Sequence, residues 1–346
     1  MEGEIIIKSR QGGAHKSSCT INKTYTMGVF QLPVKLCNEL NAMCARFWWG
    51  QVGNERKIHW RSWDILSTPK KEGGMGFRDI RSFNLAMLAK QGWRLMQGKD
   101  SLLLSCFKAK YFPRCGFLEV VDVPNSSFVW KSILTAQGIL KRGHCWRVGN
   151  GLGIRVTKDK WIPKHPTNKV IHAVPDEEWE WRVADLIDWS THTWDSQLIG
   201  EKFHSDDATA ILRIPLNRRL IQDSIYWIHN RKGEYTVKSR YQIARQIEKE
   251  KNMQGECSDA RTSESVWSTL WKLHIPNTLK IFGWRVCHDI LPTRENLVRK
   301  TIIEDRTCQL CTGGDETALH ALWECSMAQD VWAGSIKKLQ KESCDC

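Results

Sequence analysis

The sequence lacks any run of about 18 apolar residues, the minimum that a membrane-spanning helix requires. Its first residues, MEGEIIIKSRQGG, contain too short an apolar stretch for a secretory signal peptide. We therefore expect an intracellular protein of the nucleus or the cytoplasm, one that is not secreted and binds no membrane.

The common catalytic motifs are missing as well. The sequence has no P-loop, nucleophile elbow or HExxH helix, and the turn Gly73-Gly74-Met75-Gly76 lacks the Lys-Ser/Thr pair of a phosphate-binding loop. A polymerase needs aspartates that hold two Mg2+ ions. The pair Asp206-Asp207 lacks flanking hydrophobic strands, and a helix N-terminus explains these acids more simply. We expect no catalytic residues and no small-molecule substrate.

Thirteen cysteines are present, and most of them stand far apart in the sequence. A secreted protein could pair them as disulfides, but three of them cluster with a histidine near the end of the chain. Buried thiols together with one metal site are the simpler interpretation.

Positive charge is in excess and is unevenly distributed. The formal net charge is +13, which indicates an acidic partner, with RNA and/or DNA the leading candidates. Residues 52–114 contain thirteen Lys/Arg against five Asp/Glu, residues 131–169 nine against one, and residues 170–200 one against seven. The two basic blocks are candidate phosphate-contacting faces.

The apolar spacing predicts a mainly helical α+β fold. Residues 24–50 have helical periodicity with Pro33 at a helix start, and further helices are predicted over residues 80–97, 239–250 and 267–291, with a short one capped by Thr293. The expected organisation is a disordered leader (1–23), a helical basic region (24–130), a hairpin-containing connector (131–232), a zinc-binding domain (233–339) and a tail (340–346).

Two β-hairpins are predicted. In the first, Trp146 and Val148 alternate with Ile154 and Val156 around Asn150-Gly151. In the second, residues 225–228 and 235–237 flank a turn at residues 230–233.

Cys308, Cys311, His320 and Cys325 are predicted to form one four-ligand zinc site. Two thiols three residues apart can face one ion from a tight turn, while the histidine and the last cysteine supply the other side. Thiolates and imidazole suit zinc, and four protein ligands leave no position for a catalytic water, so the site should be structural. The apolar neighbours Leu310, Leu319, Leu322 and Trp332 are expected to pack against it. Alternative interpretations are small core cysteines with an ordinary helical histidine, or a redox pair.

Nucleic-acid contacts are expected outside the metal segment. From Glu304 to Asp330 there are six Asp/Glu against one Arg, so this segment would repel phosphates. Most tryptophans should be core residues, among them Trp63, Trp93, Trp130, Trp227 and Trp284, whereas Trp60 lies beside basic residues and could be an exposed contact. The candidate contacts are Arg56, Lys57, Trp60, Arg61, Lys141, Arg142, Arg147, Lys280, Arg285, Arg299 and Lys300.

Several motifs in one order, over roughly residues 24–339, carry a family resemblance. The motifs are ARFWWG (45–50), KIHW (57–60), KEGGMGFRD (71–79), WRVGNG (146–151), WIP (161–163), GEYTVKS (233–239), WK (271–272), FGWR (282–285), LPT (291–293) and the Cys/His set. With these motifs the chain resembles the post-polymerase region and zinc-binding domain of plant non-LTR (LINE-type) retrotransposon reverse transcriptases.

The resemblance implies a polyprotein that also contains an endonuclease, a polymerase and, in some members, a ribonuclease H. The carboxylates of the last two activities are not found in this sequence. The leading hypothesis is a noncatalytic, zinc-stabilised nucleic-acid-binding fragment. A residual RNA-directed DNA polymerase or ribonuclease H-related enzyme, acting only within a larger polyprotein, is the alternative. A degenerate or captured transposon product is a third possibility.

Overall fold

The computed structural model describes residues 24–53, 55–98, 101–172, 180–217, 219, 221–230, 232–252 and 263–334. Within them helices dominate, and the strands are short and antiparallel. The predicted mainly helical α+β fold with a C-terminal Cys/His cluster is confirmed. The expected leader, residues 1–23, and tail, residues 340–346, lie outside the described residues.

The described helices and strands follow in chain order. The helices are α1 (Thr24–Met27), α2 (Val34–Trp48), α3 (Trp63–Leu66), α4 (Ile80–Met96), α5 (Leu102–Tyr111), α6 (Phe128–Thr135), α7 (Gln137–Gly143), α8 (Ser196–Lys202), α9 (Ser205–Leu212), α10 (Val237–Asn252), α11 (Ser263–Lys272), α12 (Asn277–Cys287), α13 (Arg294–Arg299) and α14 (Ser326–Ala333). The strands are β1 (His144–Arg147), β2 (Ile187–Asp188), β3 (Thr193–Trp194) and β4 (Ser224–Trp227). None of these helices is both long and apolar enough to cross a membrane.

The helix predicted over residues 80–97 corresponds to α4, whereas the stretch predicted over residues 24–50 is divided into α1 and α2. Pro33 immediately precedes α2, and Thr293 caps α13 by accepting a hydrogen bond from the Asn296 main-chain N–H at 3.4 Å. The single apolar stretch predicted over 267–291 is divided into α11 and α12, because Pro276 stands at the start of the second helix. Helix α10 begins at Val237, earlier than predicted, and Thr236 rather than Ser239 precedes it.

The described chain forms two compact units, each built from separate stretches. The first unit contains residues 24–40 and 80–252, and the second contains residues 41–79 and 263–334. The predicted domains, by contrast, are consecutive segments of the chain.

Besides a smaller core that contains Met27, Cys37, Ile80 and Phe83, two larger apolar cores support the first unit. In one, α4 packs against α6, α7 and α10, with Trp93 stacked on Tyr235 at 4.6 Å and Trp130 wholly buried. The other lies within residues 148–214, where Trp161 and Trp194 are buried. Their ring N–H groups donate to the carbonyls of Val156 and Ile214 at 2.9 and 2.7 Å, respectively. Trp161 and Trp194 are therefore core residues whose ring N–H donors are satisfied.

The hairpin predicted around Asn150-Gly151 is not formed. Strand β1 pairs instead with the distant β4, with His144 opposite Trp227, and Arg155 bridges to Arg182. The cause is Asp223, whose carboxylate accepts hydrogen bonds from the main-chain N–H groups of Gly149, Gly151 and Gly153 at 2.8–2.9 Å. The main-chain donors in and beside the predicted turn are therefore directed to the Asp223 side chain rather than to a paired strand.

The second predicted hairpin also differs. Residues 224–227 do form a strand, but Val237 already belongs to α10. The Trp227 main-chain N–H donates to the Gly233 carbonyl at 2.9 Å, and the Trp227 ring contacts Tyr235, without a second strand in the described residues that follow. The hairpin that does form, β2 with β3, lies in the acidic block and was not predicted from the sequence. Strands of two residues are too short to show an alternating pattern.

The second unit has an aromatic core of Trp49, Leu66, Trp267, Trp284 and Ile290. The glycine-rich turn joins this core through the Gly73 carbonyl, which accepts hydrogen bonds from Trp284 Nε1 and His288 Nε2, both at 2.7 Å. Gly73 has φ of +86°, and a Cβ there would lie 2.9 Å from the Trp267 ring. The turn is therefore a packing element of this unit.

Candidate metal centre

The structure brings the four predicted ligands together. One ligand atom from each of Cys308, Cys311, His320 and Cys325 lies within 4.8 Å of all the others. Cys308 and Cys311 stand in a turn closed by an antiparallel bridge between Thr307 and Asp315. His320 and Cys325 come from the segment that follows, so two short stretches form the whole set.

A π-helical turn, His320–Glu324, positions the second pair of ligands. The Cys325 main-chain N–H donates to the His320 carbonyl at 2.9 Å, an i→i+5 hydrogen bond. In an α-helix, residues five apart are separated by about 1.4 turns and would face different sides. The wider turn brings both side chains to one side, and sequence spacing alone does not reveal it.

Backbone donors prepare Cys308 for metal binding. The main-chain N–H groups of Cys311 and Leu310 donate to its sulfur and lower the pKa of the Cys308 thiol to about 7. A thiol with such a pKa is readily deprotonated to the thiolate that binds metal.

The neighbouring thiols have the opposite effect on Cys311. The Gly313 N–H, at 3.5 Å from the Cys311 sulfur, lowers the pKa of Cys311. Burial and the thiols of Cys325 and Cys308 raise this pKa by more, so that it lies above its ordinary value. Three thiols this close cannot all ionise without a cation among them. The chemistry of the donor set therefore fits a metal ion.

The expected apolar packing around the ligands is wrong for Leu310 and Leu319, whereas Leu322 is half-buried. Cys308 and Cys325 are each only 2% exposed, yet Leu310 is 72% and Leu319 is 60% exposed, and Trp332 is 37% exposed. The buried side chains of this short segment are the ligands Cys308 and Cys325 rather than the leucines at positions 310 and 319. Metal coordination, rather than apolar burial, is the feature that could hold it together.

Polar contacts support the ligands from neighbouring residues of the same unit. The His320 main-chain N–H donates to Thr317 Oγ1 at 2.9 Å. Glu316 and Asp305 both interact with Arg294 at the start of α13, through its main-chain N–H at 3.3 Å and its guanidinium at 3.0 Å.

The predicted basic contacts of the second unit differ in availability. Arg299 is ion-paired with Asp289 and Glu295, at 2.7 and 2.6 Å, whereas Lys300 is exposed. Lys280 donates to the Trp271 carbonyl, and the Arg285 guanidinium lies 6.0 Å from the centre of the Trp49 ring. Lys337, Lys338 and Lys341, which follow the metal segment in the sequence, lie outside the described residues.

The contacts predicted near residue 60 are similarly mixed. Arg56 and Lys57 are exposed, and Lys57 pairs with Glu55 at 3.1 Å. Arg61 donates to the His288 carbonyl at 2.7 Å. Trp60 is half-buried and packs against the aromatic core, so only part of its ring can meet a ligand.

The three predicted contacts of the first unit are all exposed. Arg142 pairs with Glu250 at 2.7 Å, and the Arg147 guanidinium lies 5.7 Å from the Tyr226 ring centre. Lys141 lines a cleft of about 870 Å³. Sequence reasoning missed its other basic residues, because they come from well-separated segments; they include Lys108, Arg114, Lys158, Lys160 and Lys169.

Asp206 and Asp207 lie in the first turn of α9, as predicted from the sequence. Asp207 is fully buried and accepts hydrogen bonds from the Ile171 and His172 main-chain N–H groups and from both His165 and His172 rings, the latter at 3.1 and 2.8 Å. Burial alone would raise the pKa of Asp207, but the His172 and Ile171 donors lower it below its ordinary value.

Known proteins show similarity to this chain. Residues 235–332 match the family described as "zinc-binding in reverse transcriptase", a span that contains all four ligands. The chain is 27% identical over 327 residues to the Arabidopsis thaliana protein named "Putative ribonuclease H protein", covering 92% of this chain and 50% of that protein. It is 37% identical over 139 residues to an "Uncharacterized mitochondrial protein" of the same plant, covering 40% of this chain and 90% of that protein. The chain thus spans only half the length of the first relative.

Proposed function

We propose, because this chain belongs to a family related to retrotransposon reverse transcriptases, that it is a noncatalytic, zinc-stabilised nucleic-acid-binding fragment of the plant LINE type. One observation carries the proposal: the Cys308, Cys311, His320 and Cys325 side chains converge inside the matched span 235–332. Both the family description and the donor set support zinc as the metal.

Zinc in this site would have a structural role. Three thiolates and an imidazole complete a tetrahedron, so no position remains for an activated water. The ion would supply the positive charge that lets the crowded thiols ionise together. The chain's own residues would do the rest: backbone N–H groups hold the Cys308 sulfur, and the π-helical turn holds His320 and Cys325 on one side.

The nucleic-acid partner, RNA and/or DNA, is supported by the net charge of +13 and by the family. The metal segment itself is acidic, with six Asp/Glu against one Arg from Glu304 to Asp330. Binding is therefore assigned to basic residues outside it.

Salt-dependent binding tests this function. Labelled single-stranded and duplex RNA and DNA are titrated with the full chain at increasing salt, and log K is plotted against log salt. We expect log K to fall linearly with log salt, with a slope that corresponds to several phosphate contacts. No binding to any of them at low salt would contradict the proposal.

A second candidate is a part of a larger enzyme, either a residual RNA-directed DNA polymerase or a ribonuclease H-related protein. The name of the longer Arabidopsis relative, "Putative ribonuclease H protein", favours it. Primer extension and cleavage of an RNA:DNA hybrid with Mg2+ discriminate the two candidates. Activity that disappears in Asp206→Asn would favour the enzyme, since Asp206 is exposed and its loss should leave the fold intact.

A further inference from the structure

The cleft of the first unit combines a basic rim with an apolar floor. Its volume, about 870 Å³, is that of a concave pocket rather than an open face for a duplex. Leu95, Phe112 and Phe117 contribute buried apolar surface, and the half-buried Trp146 adds an aromatic ring. The basic residues of the rim lie on separate segments of this unit; they include Lys108, Arg114, Lys141, Lys158, Lys160 and Lys169.

The positive charge in the cleft outnumbers the negative charge, because two carboxylates stand against eight Lys and Arg side chains among the lining residues. The carboxylates among the lining residues are Glu119 and Asp159, and both pair with Arg155. Within the described part of the chain, none of the six rim residues has a carboxylate within ion-pair distance. The cleft therefore retains an excess of positive charge that an anion could neutralise.

Lys160 shows how closely these charges are held. Its Nζ donates to the carbonyls of Lys141 and Arg142 at 2.7 and 3.3 Å, which uses two of three N–H donors and leaves one for a ligand. Lys169 donates in the same way to the Lys158 carbonyl at 2.6 Å. Burial, and then the charges of Lys169 and Arg142, lower the pKa of Lys160. Positive charges fixed together without a counterion are the expected arrangement of an anion site.

We propose that this cleft binds single-stranded nucleic acid, with phosphates on the lysine rim and a base against Trp146 and the apolar floor. The inference rests on the proposed nucleic-acid binding and assigns it to one site. Aromatic stacking accepts any base, and lysine ammonium groups contact successive phosphates, so the binding should be sequence-tolerant. Rim residues from separate segments exceed what one phosphate requires, which favours a strand over a mononucleotide.

The test measures anisotropy of labelled oligo(dT) and oligo(U) with the full chain. Lys108→Gln/Lys158→Gln removes two exposed rim charges, and Lys131→Gln/Lys238→Gln removes two exposed charges of the same unit outside the cleft. The rim variant should weaken binding about tenfold and reduce the salt slope by about 1.4, at ~0.7 per phosphate contact. The control variant should bind as the parent chain does, and melting curves should show that both variants are folded.

Photocrosslinking with a thiouridine oligonucleotide provides a second readout. Crosslinked peptides from residues 108–169 would support the cleft. If the parent chain binds but the two variants are equal and crosslinks map to residues 41–79 or 263–334, the cleft is wrong while the proposed function stands. Stronger binding of duplex, or equally strong binding of a mononucleotide or pyrophosphate, would overturn the single-strand assignment. Failure of the parent chain to bind any oligonucleotide would remove the proposed function and the cleft together.

Discussion

The Cys311 sulfur lies 3.2 Å from Nε2 of His320. In a tetrahedral site with bonds of ~2.3 Å to sulfur and ~2.0 Å to nitrogen, these two atoms would be about 3.5 Å apart. The pair is thus close to coordination distance, and its two residues come from different segments of the chain. Metal binding here would join the Cys308–Cys311 turn to the π-helical turn.

The identity of the ligand at position 320 provides the first prediction. His320→Cys keeps four soft donors and should retain one equivalent of zinc, whereas His320→Ala should lose most of it. The tetrahedral absorption of Co2+ exchanged into each protein is the measurement. Equal metal binding by both variants would show that His320 is not a ligand.

Gly73 provides a test of the aromatic core of the second unit. Gly73→Ala places a Cβ at φ +86° and 2.9 Å from the Trp267 ring, so it combines backbone strain with a clash. Gly50 has φ +75° with nothing within 4 Å, so Gly50→Ala isolates the strain, about 1 kcal/mol. In urea unfolding followed by tryptophan fluorescence, Gly73→Ala should lower the free energy of unfolding by about 1–3 kcal/mol more than Gly50→Ala does. Equal losses would mean that the ring contact is unimportant.

Asp223 is expected to hold the glycine loop of residues 149–153. Asp223→Ala removes the acceptor of three main-chain N–H groups and should lower the free energy of unfolding by about 1–3 kcal/mol. Amide hydrogen exchange should accelerate at Gly149, Gly151 and Gly153. In the control, Asp206→Asn, exchange at these glycines should stay at the parent rate. Unchanged protection in Asp223→Ala would contradict the assignment.

Asp207 predicts an acid-sensitive element in the first unit. Because its folded pKa is lowered, the carboxylate stabilises the fold above its unfolded pKa of about 3.9, and this stability is lost as pH falls through the lower folded value. Exchange protection of α9, residues 205–212, should therefore decrease below pH ~4 in the parent chain. Asp207→Asn should be less protected at neutral pH and should lack this acid step. An identical pH profile in both proteins would exclude the linkage.

The sequence was sufficient for features that depend on local chemistry. Ligand spacing identified the Cys308–Cys325 set, and apolar periodicity with Pro33 and Thr293 placed some of the helices, among them α2, α4 and α13. It failed where long-range contacts decide the result. The pairing of β1 with β4 and the capture of the glycine loop by Asp223 join residues about 70 to 80 positions apart, and no local pattern encodes them. The basic rim likewise depends on segments that only the fold brings together.

The exposed side chains of Leu310 and Leu319 indicate which residues depend on zinc for their folded structure. Apolar burial cannot replace the metal within residues 307–325, whereas Trp267, Trp284 and Ile290 belong to an aromatic core that contains none of the four ligands. Loss of zinc should therefore unfold the ligand segment and spare that core.

The most direct test of the zinc centre is the metal content of the purified full chain, measured by elemental mass spectrometry. Amide hydrogen exchange of the same samples measures which residues the metal protects. The parent chain and Cys287→Ser, which removes an exposed thiol of the same unit outside the cluster, should each hold one equivalent of zinc. Cys308→Ser should hold none and should lose exchange protection over residues 307–325. One equivalent of zinc in Cys308→Ser, or none in the parent chain, would contradict the structural zinc site.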